Sequence, residues 1–205
     1  MAEVKTTEEY DGTSNAWSAG GTATSVGGEF AALGGTQADA FAVGGYTGSY
    51  HGNSESYNGS SNTWSSEAPL LSSLNQHAGS SAGSGQADYL VAGSTGGDNT
   101  DKDGIYSYDG SSWTAENNLP AQRYVACGNG PTGDFLMSQG QDSSRRADSV
   151  LFSKGDSPST GPSVSSGRYS PTSSVACSGS ANGVVFGGGT GSANSAGTNQ
   201  IQEFD

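Results

Sequence analysis

Short apolar runs recur along a chain that is otherwise polar and rich in glycine. Ala40–Val43 and Tyr89–Ala92 are such runs, and weaker copies follow at Phe135–Met137 and Val184–Phe186. Apolar runs this short, bounded by turn-forming residues, are typical of buried β-strands, because helices need longer stretches with a repeat of about 3.6 residues. The pattern therefore predicts an all-β protein.

Three further series mark a repeat with a period of about 49 residues. Five strands end in an aromatic residue followed by a turn, at Tyr10, Tyr57, Tyr108, Phe152 and Phe204. The apolar strands end in glycine-rich turns, with anchors at Gly44, Gly45, Gly93, Gly140, Gly187 and Gly188. A tryptophan follows the aromatic turn in three repeats, as Trp17, Trp64 and Trp113.

Each repeat carries signals for four short strands. Asp-Gly and Asn-Gly between aromatic residues favour hairpins with primed turns, which need positive φ at the turn positions. The predicted hairpins span 10–17, 57–64 and 108–113. A stretch of small residues before each apolar strand adds a further strand, at 28–34, 77–82, 125–130 and 174–179.

This order resembles the kelch repeat: an apolar strand ending in Gly-Gly, a third strand closed by an aromatic residue, and a tryptophan in the fourth. The resemblance covers nearly the whole chain and implies a kelch-like β-propeller of about four four-stranded blades, closed or nearly closed by strands from both termini. More narrowly, the wording of 7–14 and 42–48 looks like the glycine-, serine- and threonine-rich kelch repeats in structural proteins of marine bacteriophages. The implied organisation is one domain, 1–205, with approximate repeats 4–52, 53–101, 102–147 and 148–198 and a closing strand 199–205.

The repeats depart from this pattern in two places and leave one strand too many. The third repeat has Ser-Gln-Gly at 138–140 in place of a diglycine. The fourth lacks the tryptophan and has two prolines within 156–162, so its outermost strand is expected to be irregular or missing. The sequence predicts four inner strand pairs but five strands that end in an aromatic residue. The terminal segments 6–10 and 200–204 therefore compete for one place in the ring. Either the ring closes with one of them displaced, or that strand pairs with a neighbouring subunit.

Composition narrows the classes of function. Only 31% of residues are hydrophobic and the formal net charge is −13, which in a non-repetitive chain indicates disorder, but the regular aromatic spacing argues for a fold. Seven basic residues against twenty acidic ones would repel phosphate backbones, so no nucleic-acid partner is expected. No secretory signal and no apolar run of membrane-spanning length is present, so we expect synthesis in a cytoplasm without membrane insertion.

The two cysteines and two histidines give little evidence of catalysis. Cys127 and Cys177 lie in the same Val-Ala-Cys motif of adjacent repeats, at a position that takes small residues elsewhere. Two buried thiols are the favoured interpretation, with a disulfide between inner strands as the alternative. His51 and His77 stand alone, so surface or capping roles are expected.

One acidic loop matches the opening of a calcium-binding loop. Asn99, Asp101 and Asp103 precede Gly104 with the spacing of the first ligands, but Gly110 replaces the final bidentate acid. A solvated acidic loop is the alternative. Calcium is the one cofactor that the sequence raises as a candidate.

Segment 107–114 looks superficially like a sialidase-type Asp box, but Asp109 and Trp113 are one residue too close. A small propeller glycosidase or lyase is therefore the weaker hypothesis, and no catalytic residue is assigned. We expect instead a non-enzymatic bacteriophage virion protein, in a tail, a fibre or a particle-surface decoration, that mediates assembly or host-surface adhesion. Loops 46–53, 94–104 and 140–147 would contact other virion proteins, copies of itself or a host surface glycan. The alternative is a carbohydrate- or protein-binding kelch propeller outside a virus, cytoplasmic or extracellular.

Overall fold

The computed structural model describes residues 5–25, 28, 31–34, 39–79, 87–95, 102–168, 172–173, 184–186 and 201–203. All regular structure in this part of the chain is β-strand, which confirms the all-β prediction. The strands are β1 Thr6–Asp11, β2 Ala16–Thr22, β3 Ala31–Gly34, β4 Ala40–Val43, β5 Ser54–Asn58, β6 Thr63–Glu67, β7 Ala78–Gly79, β8 Tyr89–Ala92, β9 Ile105–Tyr108, β10 Trp113–Ala115, β11 Cys127–Asn129, β12 Phe135–Ser138, β13 Ser149–Phe152, β14 Ser159–Gly161, β15 Thr172–Ser173, β16 Val184–Phe186 and β17 Ile201–Glu203.

These strands form small antiparallel sheets in which neighbours in sequence are neighbours in space. The first sheet contains β3–β6, the second β7–β10, the third β11–β14 and the fourth β15–β17. Strands β1 and β2 pair with each other as a separate two-stranded ribbon. Short connections favour this arrangement, because antiparallel strands can be joined by a few residues whereas parallel strands need a long crossover.

The first strands of successive sheets lie next to one another. Strand β3 contacts β7, β7 contacts β11, and β11 contacts β15. We call these four strands the inner strands. The later strands of each sheet lie progressively farther from them, so the sheets stand side by side along a shared inner region.

The core lies between the faces of neighbouring sheets. In β8, Tyr89 and Val91 pack with buried side chains of the first sheet, whereas Leu90 and Ala92 pack with those of the third. Successive side chains of a strand alternate between its faces, so both faces of β8 are buried. This burial explains why the apolar runs of the sequence are continuous instead of alternating with polar residues.

One register position of the inner strands takes a small residue in each sheet. In each sheet, one inner-strand residue pairs with the last residue of the second strand. From the first sheet to the fourth, these residues are Ala31, Ala78, Cys127 and Thr172. Cys127 is buried, and its Sγ donates to the backbone oxygen of Ser138 at 3.5 Å. Cys177, and with it the disulfide alternative, lies outside the described residues. The fourth inner strand contains Thr172 and Ser173, whereas the predicted stretch 174–179 lies outside the described residues.

The three predicted hairpins are confirmed by the pairing of each tyrosine with the tryptophan of its own hairpin. The pairs are Tyr10–Trp17, Tyr57–Trp64 and Tyr108–Trp113. The primed-turn prediction is wrong for the first two hairpins, because their left-handed residues are Asn15 and Asn62, with φ of 53° and 55°. Longer turns place one left-handed residue at their end, and asparagine tolerates that conformation. In the third hairpin Gly110 takes it, with φ of 95°.

The strand expected to be irregular or missing, the outermost strand predicted for the fourth repeat, is present as β14 at the edge of the third sheet. Strand β14 pairs with β13, with Val150 opposite Thr160. Pro158 and Pro162 lie immediately before and after the strand. Proline lacks the N–H group that a ladder needs, but at these two positions it ends the strand instead of interrupting it.

Strand β17 takes the place beside β16, with Gln202 opposite Val185. Among the described strands, β1 pairs with β2 and with no other strand. Of the two segments that compete for this place in the sequence, the later one therefore occupies it here. In the described part of the chain, no helix has the length and apolarity that crossing a membrane would need.

Candidate functional site

The loops that join the second and third strands of a sheet meet the segments that lead into the inner strands. In an antiparallel meander these connections lie at the same end of the sheets. Their backbones are hydrogen-bonded: Gly45 N–H donates to the carbonyl of Leu74 at 2.8 Å, and Gly140 N–H donates to that of Arg168 at 3.0 Å. Ser94 N–H donates to Arg123 in the same way, at 3.0 Å. We call this end of the molecule the loop face.

Two loops of this face, 45–51 and 140–146, have matching backbone hydrogen bonds. His51 N–H donates to the Gly45 carbonyl at 3.0 Å, as Arg146 N–H does to the Gly140 carbonyl at 2.9 Å. A bridge inside each loop pairs its second and sixth residues. The two sequences differ almost throughout, so sequence comparison missed the common structure, and the predicted contact segments 46–53 and 140–147 are alike only in three dimensions.

Loop 45–51 presents two aromatic rings to solvent. Tyr46 and Tyr50 are 41% and 36% exposed, and their ring centroids lie 5.3 Å apart. A hydrogen bond between Thr47 and His51 closes the loop. Paired tyrosines offer apolar area and a hydroxyl donor at low conformational cost, which suits them to recognition.

Loop 140–146 presents charge instead. Arg146 forms ion pairs with Asp142 at 3.0 Å and with Asp148 at 2.9 Å. Arg123, which is fully buried, binds the second carboxylate oxygen of Asp148 at 2.7 Å. Burial opposes ionisation of Asp148, but hydrogen bonds from Arg146 and Arg123 hold the pKa of this carboxyl below its usual value. The network therefore stays charged and fixes the loop at neutral pH.

Gln139 is the strained residue beside this network. It occupies the register position of Gly44 and Gly93, and its φ of 59° is as left-handed as their 70° and 65°. Its side chain is fully buried, and neither amide atom has a hydrogen-bond partner. Residues in the left-handed region with unpaired buried polar groups are concentrated at functional sites and cost stability.

His77 precedes the inner strand of the second sheet and is buried, contrary to the expected surface role. Desolvation lowers the pKa of this histidine to about 4, and the backbone groups of Val43 and Asn75 oppose that shift. Neither ring nitrogen has a partner of hydrogen-bond geometry. The imidazole is therefore neutral at physiological pH. His51, in contrast, lies in loop 45–51 and is partly exposed.

The predicted repeat anchors are divided between core and surface. Tyr57, Tyr108, Trp113 and Phe152 are buried, whereas the side chains of Tyr10 and Trp17 are exposed. Trp64 packs in part against Ala42. Gly187, Gly188 and Phe204 lie outside the described residues.

Asn99 and Asp101 of the calcium candidate also lie outside the described residues. Asp103 accepts the Leu119 N–H at its carbonyl, at 2.7 Å. Across the described ranges no three acidic, histidine or cysteine side chains are grouped as metal ligands. In the segment similar to an Asp box, the Asp109 carboxylate accepts the N–H groups of Ser111 and Ser112, both at 2.8 Å, and so caps a turn.

Sequence reasoning missed the two buried arginines. Arg123 and Arg168 occupy equivalent places before the inner strands of the third and fourth sheets. The available signal was the dipeptide Arg-Tyr at 123–124 and 168–169, about one repeat apart. The backbone carbonyl of each arginine accepts an N–H group from the turn after the second strand of the preceding sheet, Ser94 for Arg123 and Gly140 for Arg168. The dipeptide therefore marks a contact between neighbouring sheets.

No family model matches the chain, and no curated protein matches its sequence. Among solved structures, that of YjhT aligns with a TM-score of 0.70 at 11% sequence identity, over 96% of this chain and 71% of the other. At so low an identity the likeness shows the fold alone. It carries no activity or ligand with it.

Proposed function

We propose that the four sheets are blades of a kelch-like β-propeller and that the chain is a non-enzymatic binding module acting through its loop face. The sequential order of the sheets, the neighbouring inner strands and the likeness to YjhT support this architecture. Loops held on a rigid scaffold are where such a fold places binding residues.

The exposed pair Tyr46–Tyr50 carries the proposal. These rings lie on a loop with the same backbone hydrogen bonds as the ion-paired loop 140–146, so two similarly bonded loops present different chemistries. Loops that carry different side chains on a common scaffold are the arrangement used by recognition surfaces. The arginines and carboxylates of the second loop bind each other, which suits a positioning role better than proton transfer.

The biological setting that we propose is a bacteriophage particle, in which the module mediates assembly or adhesion to a host surface. The glycine-, serine- and threonine-rich wording of its repeats and its acidic composition support this setting. Tyrosine offers an apolar ring face and a hydroxyl donor, which match the apolar faces and hydroxyl groups of sugars, so a host surface glycan is the proposed adhesion target.

The test is binding of the purified chain to an array of bacterial surface polysaccharides. The double variant Tyr46→Ser/Tyr50→Ser should lose at least about tenfold in affinity, as is common when an aromatic anchor is removed. Leu71→Ser is the control, because Leu71 is an exposed apolar side chain outside loop 45–51. Equal binding by the double variant, or no binding by the native chain, would refute glycan adhesion through this loop.

The setting has a separate test. Antibodies against the chain should detect it in purified phage particles at a fixed ratio to the major structural proteins. If the chain is absent from particles of a phage whose genome encodes it, the virion assignment is rejected. The proposal that the chain is a binding module would not be affected.

A further inference from the structure

The three hairpins carry the same tyrosine–tryptophan pair, but only two of these pairs are covered. Ring centroids are 5.1 Å apart in Tyr57–Trp64 and Tyr108–Trp113, and 5.2 Å apart in Tyr10–Trp17. Trp113 is 5% exposed, whereas Trp17 is 67% exposed and Tyr10 45%. The first pair is therefore preformed and left on the surface.

The second sheet's pair is covered by the first sheet. Tyr108 donates its hydroxyl to Glu67 at 3.1 Å. Trp113 Nε1 donates to Ser54 Oγ at 3.2 Å and to the Ala68 carbonyl at 3.0 Å. A carboxylate for the tyrosine and oxygen acceptors for the tryptophan thus come from the preceding sheet.

The first sheet's pair is covered in the same way by the ribbon. Tyr57 donates its hydroxyl to Glu9 at 2.5 Å, and Trp64 Nε1 donates to Thr7 Oγ1 at 2.8 Å. A Cβ on Gly20 would lie 2.5 Å from the Tyr57 hydroxyl, so the ribbon is shaped to receive this ring. The ribbon therefore acts as the outer half of a sheet that precedes the first, and its own pair should receive the same kind of cover.

Strand β17 has the sequence needed to provide that cover. The sequence of 201–205, Ile-Gln-Glu-Phe-Asp, is similar to that of 7–11, Thr-Glu-Glu-Tyr-Asp. When the fourth sheet is aligned with the first by the pairing of their second and third strands, Glu203 is equivalent to Ser56. When the ribbon is aligned with the first sheet by the tyrosine–tryptophan pairs, Glu9 is equivalent to Ser56 as well. The fourth sheet thus places a glutamate where the ribbon places the one that binds Tyr57.

The fourth sheet of the same chain is formed, yet it leaves Trp17 exposed. We propose that the Tyr10–Trp17 face of the ribbon binds the fourth sheet of a second copy, at the register position that Glu203 occupies in β17. The contact joins two different surfaces, so it is heterologous and builds a ring or a filament of copies. It rests on the proposed propeller architecture but not on the loop face or its ligand.

The first test is sedimentation of the native chain over a range of concentrations and salt. The mass should rise above that of one chain with concentration, and more so at high salt, since copies with a net charge of −13 repel each other. Trp17→Ser should remain a single chain under conditions where Leu71→Ser, a control at a similarly exposed apolar side chain, associates like the native chain. A native chain that stays single throughout, or Trp17→Ser that associates normally, overturns the proposal.

The second test distinguishes a second copy from closure within one chain. Tyr10→Cys and Glu203→Cys variants, mixed and treated with a short bis-maleimide, should form a covalent dimer that neither forms alone. The native chain, treated in parallel, reports linkage through Cys127 or Cys177. If the two substitutions in one chain instead crosslink internally at high dilution and the mixture gives no dimer, the cover comes from the same chain and the proposal is wrong. In either case glycan binding through Tyr46 and Tyr50 is unaffected, so the two proposals fail separately.

Discussion

The hydroxyl of Tyr108 donates to Glu67 Oε2 at 3.1 Å, and the two residues belong to neighbouring sheets. The other oxygen of Glu67 accepts from Ser56 at 2.6 Å within its own sheet. One carboxylate therefore ties the second sheet to the first. Burial, with this hydrogen bond in support, raises the pKa of Tyr108 to about 12, so the tyrosine remains a donor throughout the physiological range.

Replacing Tyr108 by phenylalanine should lower the free energy of unfolding by about 1–3 kcal/mol, because a hydrogen bond to a charged acceptor is lost. Tyr46→Phe is the control, because the Tyr46 side chain is exposed and its hydroxyl should contribute little to stability. Urea unfolding followed by tryptophan fluorescence measures both. Equal effects of the two substitutions would mean that the contact between sheets adds nothing.

Asp109 should make the protein sensitive to acid. Hydrogen bonds from the backbone of Ser112 and Ser111 lower its pKa from 3.8 to about 2 in the folded state. Its stabilising effect is therefore present above pH 3.8 and is lost as the pH falls towards 2. Asp109→Asn keeps the turn, as Asn58 does at the equivalent place, but cannot titrate.

The expected result is a smaller loss of unfolding free energy between pH 4 and 2 in Asp109→Asn than in the native chain. Asp109→Ala, which removes the cap as well, should be less stable at every pH. A native-like acid profile for Asp109→Asn would show that the turn carboxylate does not contribute.

His77 should act in a higher pH window. Its pKa is about 4 in the folded protein and 6.5 when unfolded, so the unfolded chain binds the proton first as the pH falls. Stability is therefore full above pH 6.5 and declines towards pH 4. His77→Ala introduces the residue that Ala126 provides at the equivalent place before β11 and should flatten this part of the profile. A slope unchanged by the substitution would assign the titration to another group.

At position 139, a glycine variant should be more stable than an alanine variant, which reverses the order usual within a strand. Gln139→Gly and Gln139→Ala both lose the buried amide, but only glycine adopts φ of 59° without strain. The glycine variant should therefore be more stable than the alanine variant by about 1 kcal/mol. At Ser138, which lies in a regular strand, alanine should be the more stable of the two. Chemical denaturation of all four variants gives the comparison, and the normal order at 139 would refute strain there.

The strands and hairpins could be predicted because their signals are local. An apolar run such as Tyr89–Ala92 must be buried, and a tyrosine, a turn and a tryptophan within a few residues can pair only with each other. The turn geometry was less accessible, because the choice between Gly12 and Asn15 as the left-handed residue depends on the length of the turn. The two prolines are evident in the sequence, but whether they interrupt β14 or flank it depends on the register of its pairing with β13.

The candidate surfaces were less predictable, because they depend on which sheet covers which. The residues of loops 45–51 and 140–146 share almost no wording, yet the same backbone hydrogen bonds fold both. Arg123 and Asp148 are far apart in sequence and meet only when the third sheet is formed. His77 looked like a surface residue because its sequence neighbours do not show that Gly44 brings another sheet against it.

The sequence by itself determined the all-β class, the repeat and the partners within each hairpin, since these follow from local periodicity and turn chemistry. Only the tertiary structure decided that identical tyrosine–tryptophan pairs have different fates. Trp113 is buried because the first sheet lies against it, and Trp17 is exposed because no described element does. Burial depends on the neighbouring sheet, and a strand's own residues do not encode which neighbour it receives.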